Sequence, residues 1–213
     1  MICAVGGMRA FSRAMCMAVA LLCFFVSGLT APRVWAGGAT DAMKGTIDEV
    51  LRIVQDKELR KPVKSEERRM LLEKVVGERF DYTEMSRRSL GAPWAKLSEK
   101  EKNEFVDLFQ TLLVNSYADK VEAYSGEGVE YVNERTEKDY AEVRTKVLTG
   151  KTEIPLDYRM INKASTWRVY DVVVDGVSLV NNYRGQFTKI LRSGTFAELL
   201  DQLRKKSETI KSS

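Results

Sequence analysis

Two residues near the end of the chain have the type and setting for acid–base or nucleophilic chemistry. Asp171 is the one acidic residue in the run WRVYDVVV over residues 167–174. A carboxylate held among apolar side chains has a raised pKa and can serve as a general acid or base. The alternative is structural: an ion pair with Arg159 or Arg144 on a neighbouring strand, or hydrogen bonds from backbone N–H groups. Ser178 follows Gly176-Val177, half of the turn that presents a serine nucleophile, but the second glycine is missing and no base accompanies it. It reads as a turn hydroxyl. The chain has no histidine, and its three cysteines, Cys3, Cys16 and Cys23, all fall within the first 36 residues. The rest of the chain therefore has no Ser-His-Asp or Cys-His constellation, no disulfide and few options for a transition metal. Gly126-Glu127-Gly128 is a turn signal rather than a phosphate loop. No cofactor is called for.

Both residues belong to a stretch that begins as a strand and ends as a helix. In residues 167–174 one alternating set is Trp167, Val169, Asp171 and Val173; the other is Tyr170, Val172 and Val174. Both sets are largely apolar, the pattern of a strand covered on both faces, and part of that cover can be a ligand. Asp175-Gly176 breaks the run. Val177, Leu179 and Val180 resume it, and Asn181-Asn182 offers an N-cap for a helix carrying Tyr183, Phe187, Ile190 and Leu191.

Upstream, Ala141, Val143, Thr145 and Val147 alternate with charged residues, as do Ile154, Leu156, Tyr158 and Met160, and Val129, Tyr131 and Asn133 begin another strand. Everything before residue 126 is helical in pattern. Thr40 or Asp41 caps a helix bearing Met43, Ile47, Val50, Leu51 and Val54. Ser65 caps a second, burying Leu71, Leu72, Val75 and Val76, and Asp81 caps a third that Gly91 closes. Ser98 with Glu101 is a capping box. The helix it opens carries a bulky stripe, Phe105, Leu108, Phe109, Leu112, Leu113, Tyr117, Val121 and Tyr124. That stripe is either core against a sheet or, in part, the wall of a cavity. A last amphipathic helix over residues 196–203 buries Leu199, Leu200 and Leu203, and the charged tail from Lys205 frays.

Helices, about four antiparallel strands, then helices define an α+β fold: a curved sheet with helices packed on one face. An apolar cavity is expected between the bulky helix and the sheet. Its expected lining is Leu113, Tyr117, Val121, Val143, Val147, Leu156, Tyr158, Tyr170, Val172, Val174, Val177, Leu179 and Phe187. Alternation alone leaves either face of residues 167–174 open to that role.

The first 36 residues read as a signal peptide. Arg9 and Arg13 precede an uncharged apolar run over residues 14–29, and Val34-Trp35-Ala36 stands at cleavage spacing. Cleavage after Ala36 would leave a single domain over residues 37–213, exported to the periplasm. An uncleaved anchor is the alternative, although the run is shorter than the ~20 residues a spanning helix needs. Removing Arg9, Arg13 and Arg33 from the 34 basic residues, against 30 acidic ones, leaves the remainder close to neutral. That balance excludes nucleic acid as an expected partner.

Taken together, WRVYDVVVDGVSLVNNYRGQF resembles the MlaC family, the periplasmic phospholipid carriers also called toluene-tolerance auxiliary components. Trp167, Tyr170-Asp171, Gly176-Val177-Ser178 and residues 183–187 carry the resemblance. Upstream it extends through Phe80, Leu90-Gly91, Trp94, the helix over 105–124 and Leu156-Asp157-Tyr158. The resemblance implies a non-enzymatic carrier that hides phospholipid acyl chains between sheet and helices. Its implied partners are an outer-membrane lipoprotein complex and an inner-membrane ABC transporter with an MCE-type subunit. Each CH₂ left in water costs about 0.8 kcal/mol, so such a carrier must bury most of a ~16-carbon tail. Two other classes stay open: a small enzyme using Asp171 in a cone-shaped sheet, by fold analogy alone, and an adaptor of the transporter that binds no lipid.

Overall fold

The computed structural model describes residues 38–122, 124, 128–150 and 152–211. The expected leader, its cleavage site, its cysteines and the Gly126-Glu127 turn lie outside the described residues. Helix α1 spans Gly38–Gln55 and sets Met43, Ile47 and Val54 on its buried side. It starts ahead of the expected Thr40 or Asp41 cap. Thr40 instead donates its N–H at 2.8 Å and its hydroxyl at 2.5 Å to the carboxylate of Glu134. The helix N-terminus thus takes a remote acceptor, which also suits the positive end of its dipole.

A short 3₁₀ turn, Pro62–Lys64, leads into α2, Ser65–Arg79. Ser65 is its first helical residue rather than its cap, and Lys64 at the cap position makes no side-chain cap bond. Helix α3, Tyr82–Leu90, starts as expected: Asp81 accepts from the Glu84 N–H at 2.9 Å, and Gly91 ends the helix at φ 66°. A 3₁₀ turn over Ala92–Lys96 precedes α4, Glu99–Glu122. There Ser98 and Glu101 exchange backbone-to-side-chain hydrogen bonds at 2.8 and 3.3 Å, the reciprocal capping box.

The sheet is an antiparallel meander in the order β1 (Val129–Glu137), β2 (Tyr140–Leu148), β3 (Glu153–Lys163), β4 (Thr166–Val174) and β5 (Val177–Ser178). Four long strands match the sequence pattern; the two-residue β5 is the addition. Helix α5, Leu179–Ser193, follows directly, and α6 spans Phe196–Lys211. The tail does not fray at Lys205: Ser207 is buried, and its carbonyl accepts from the Asn115 amide at 3.2 Å.

Two bulges set which side chains face the helices. In β4, Asp171 pairs with Arg159 and Val169 with Met160, so Tyr170 has no partner in β3. The extra residue reverses the alternation. Val169 therefore shares a face with Met160, while Val172 and Val174 share that face with Tyr158 and Leu156. Asp171 and Val173, on the other face, are buried as well. The doubly apolar run thus has two causes, a phase slip and cover on both sides. In β1, Val132 is the extra residue, so Glu134 rather than Asn133 stands opposite Val143 and reaches Thr40 on α1.

The core has two large parts. One lies among α3, α4, α5 and α6, where the rings of Phe105, Phe109, Tyr183 and Phe187 pack at centroid distances of 5.1–5.7 Å, Phe105 and Phe109 stacked, Tyr183 and Phe187 tilted, and the other pairs edge-on. The other lies between α1 and the sheet. Among the described residues no helix is long and apolar enough to cross a membrane.

Candidate functional site: an apolar cavity between helices and sheet

Between these two cores the packing opens into a cavity of about 370 Å³. Its sheet side is Val129, Val147, Leu156, Tyr158, Val172 and Val174, alternate residues that the β4 bulge keeps in phase. Opposite stand Met43, Ile47, Val50 and Leu51 of α1, Leu72 and Val76 of α2, and Leu113, Tyr117 and Val121 of α4. Phe80, Tyr82 and Met85 line it from the start of α3, and Leu179 from the start of α5. The size falls within the ~300–1,000 Å³ usual for ligand sites. Burial pushes the Tyr158 phenol up, and it pushes the Tyr82 phenol up to about 12. Both phenols stay neutral.

Of the residues expected to line a cavity, nine do: Leu113, Tyr117, Val121, Val147, Leu156, Tyr158, Val172, Val174 and Leu179. Four do not. Val143 lies on the right face but is packed solid with Met43 and Met160 beneath α1. Tyr170 is the bulged residue and points elsewhere. Its ring lies 4.0 Å from the Arg88 guanidinium carbon and edge-on to Tyr140 at 5.9 Å. Val177 pairs with Val174, yet β5 is the sheet edge and leaves it 58% exposed. Phe187 belongs to the helical core, 5.5 Å from Phe105. The sequence reading did not name the α1 and α2 residues of the wall. Their helical stripe was visible in Met43, Ile47 and Leu51, but only the assembled fold turns that stripe toward an opening.

Asp171 is not among the lining residues. It is 3% exposed, and its oxygens accept from the Ser178 hydroxyl at 2.7 Å, the Val180 N–H at 3.0 Å and Arg159 Nη1 at 3.1 Å. Arg144 pairs with Glu142 instead. Ser178, rather than Asn181-Asn182, caps α5: its Oγ accepts from the Asn181 N–H at 3.0 Å. The hydroxyl competes better than the asparagines because Asp171 already orients it. The two residues with the type for catalysis thus spend their polar atoms joining β4 to the start of α5.

Beside the strands, Glu84 is almost fully buried and accepts from Arg87 and Arg88, which hold its carboxyl down at about 2. Lys163 reaches Asp81 at 2.7 Å and so ties β3 to the α3 cap.

Fold and site together define a class: an α+β domain whose antiparallel sheet and helices enclose an apolar cavity. The chain belongs to the MlaC family, whose family model, described as MlaC protein, matches residues 44–205. It is 22% identical over 120 residues to the intermembrane phospholipid transport system binding protein MlaC of Haemophilus influenzae. That match covers 54% of this chain and 56% of the relative, so the chain spans little more than half the length of that protein. Among solved structures, the phospholipid-binding protein from Ralstonia solanacearum in complex with a phospholipid aligns with a TM-score of 0.74. Its identity is 24%, over 81% of this chain and 98% of that one, and the likeness is one of fold.

Proposed function

We propose that this protein is a phospholipid carrier that holds acyl chains in the cavity and works in the periplasm between two membranes. The observation that carries the reading is the cavity itself. It is lined almost wholly by aliphatic and aromatic side chains, and among the described residues its few charged groups are Arg69, Glu73 and Lys120. Filling it with an alkyl chain returns about 0.8 kcal/mol per buried CH₂, which a polar metabolite cannot match there. The family membership and the lipid named for the two relatives support the same ligand class. On this reading the leader is removed on export. Lipid passes between an outer-membrane lipoprotein complex and an inner-membrane ABC transporter with an MCE-type subunit, and no residue performs a covalent step.

The test is native mass spectrometry of protein purified without detergent, followed by transfer of a labelled phospholipid between two vesicle populations. Co-purified phospholipid and protein-dependent transfer are expected. A cavity empty of lipid, with no transfer from vesicles, refutes carriage and favours an adaptor.

A further inference from the structure

The cavity has a direction. Along α2 its lining runs from Arg69 through Leu72 and Val76 to Phe80, and along α4 it runs from Lys120 through Tyr117 to Leu113. The charged lining residues among those described, Arg69, Glu73 and Lys120, fall in the first half of the two paths. Both paths end at Phe80 and Tyr82. One turn beyond Leu113 on α4, Gln110 lines a second space instead, a polar cleft shared with Val106, Thr83, Lys163 and Arg168. Phe80 and Tyr82 line that cleft as well as the cavity. Their rings are stacked with centroids 6.0 Å apart, so a partition of two aromatic side chains separates an apolar space from a polar one.

The partition is fixed at its backbone. The Phe80 N–H donates to the Val76 carbonyl at 2.9 Å and closes α2, and the Asp81 N–H donates to the Val169 carbonyl of β4 at 2.8 Å. The Asp81 carboxylate accepts from the Glu84 N–H at 2.9 Å and from Lys163 of β3 at 2.7 Å. The segment that carries both rings is therefore held by α2, α3, β3 and β4 together, and it cannot recede without breaking those bonds. A methylene pushed past the rings meets Thr83, Gln110, Lys163 and Arg168 rather than apolar cover. We propose that Phe80 and Tyr82 are the end stop of the cavity and set the longest acyl chain it accepts. This rests on the lipid-carriage reading and adds to it the residues that determine chain length. Up to the stop, each further CH₂ is covered in the carrier as it was in the bilayer. Beyond it, each CH₂ without room lowers loading about fourfold, the hydrophobic increment for one methylene.

The experiment loads the purified full chain from fluid vesicles holding equal amounts of phosphatidylcholines with dimyristoleoyl, dipalmitoleoyl, dioleoyl, dieicosenoyl and dierucoyl chains, and weighs the bound lipids by native mass spectrometry. The head groups are identical, so only chain length differs. The wild-type profile is expected to hold level and then fall steeply beyond one length. Phe80→Ala removes a ring from the stop and should move the fall to a longer member of the series. Val76→Phe fills the last turn before the stop and should move it to a shorter one. Circular dichroism melts check that both variants fold, and if Phe80→Ala does not, Val76→Phe decides alone. A wild-type profile without a fall, or a fall at the same length in the folded variants, overturns the end stop. A wild type that loads none of these lipids refutes carriage itself.

Discussion

Asp171 and Val180 are joined by a hydrogen bond of 3.0 Å from the Val180 N–H to Oδ1 of a carboxylate that is 3% exposed. The same carboxylate takes the Ser178 hydroxyl at 2.7 Å and the Arg159 guanidinium at 3.1 Å. One side chain therefore closes the β4–β5 turn, orients the cap of α5 and tethers β3. A buried acid with three donors answers the need created by the free N–H groups of a helix start.

Asp171→Ala should be destabilising by about 3 kcal/mol or more, because it leaves buried donors without an acceptor. Ser178→Ala should cost about 1 kcal/mol, the usual loss of a helix cap. Urea melts followed by circular dichroism measure both. A melt of Asp171→Ala that matches the wild type would mean that this carboxylate does not hold β4 to the start of α5.

Val174 and Val177 are cross-strand partners with opposite expected responses to charge. Val174 lines the cavity, and a carboxylate there must lose most of its hydration or admit water. Val174→Glu should cut co-purified lipid severalfold while a cooperative melt persists. Val177→Glu should change neither lipid load nor melt, since the edge position is already in water. A strong lipid defect in Val177→Glu would mean that the cavity extends to the sheet edge.

Glu84 predicts an acid limb in stability. Its hydrogen bonds from Arg87 and Arg88 lower its pKa from 4.5 to about 2 in the folded protein. A depressed folded pKa gives stability that is complete above the unfolded value and is lost as pH falls. The window therefore runs from about pH 4.5 down to pH 2, and with the main partner Arg87 half exposed and screened by solvent the contribution is on the order of 1 kcal/mol. Glu84→Gln should lower stability at pH 7 and flatten the decline over that window. Thermal melts at pH 7, 4 and 2.5 would show it; parallel declines in the two proteins would contradict it.

Glu134 should act on a helix 94 residues away. It accepts both the N–H and the hydroxyl of Thr40. Glu134→Ala should cost about 1 kcal/mol and raise amide exchange in the first turn of α1, leaving the sheet protected. Hydrogen exchange read by mass spectrometry resolves this, and unchanged α1 protection would count against the remote cap.

What the amino-acid sequence determined by itself are the features whose causes are local. The Asp81 cap, the Ser98–Glu101 box, Gly91 at positive φ and the alternation of β2 and β3 all arise within a few residues, so they were legible. The bulky α4 stripe was legible too, but it divided its residues: Phe105 and Phe109 fill the helical core, while Leu113, Tyr117 and Val121 face the cavity. Tertiary structure alone decided the rest. The slip at Tyr170 depends on which β3 residue each β4 residue meets, and no property of β4 alone states that register. That slip removed Tyr170 from the cavity and put Asp171 in reach of Val180. The Thr40 cap depends on a second slip, at Val132, in a strand that the chain makes much later. The α1 and α2 walls and the Asn115–Ser207 bond exist only where helices distant in sequence converge. Short-range geometry writes itself into residue order, whereas a cavity is a relation among elements that meet only on folding.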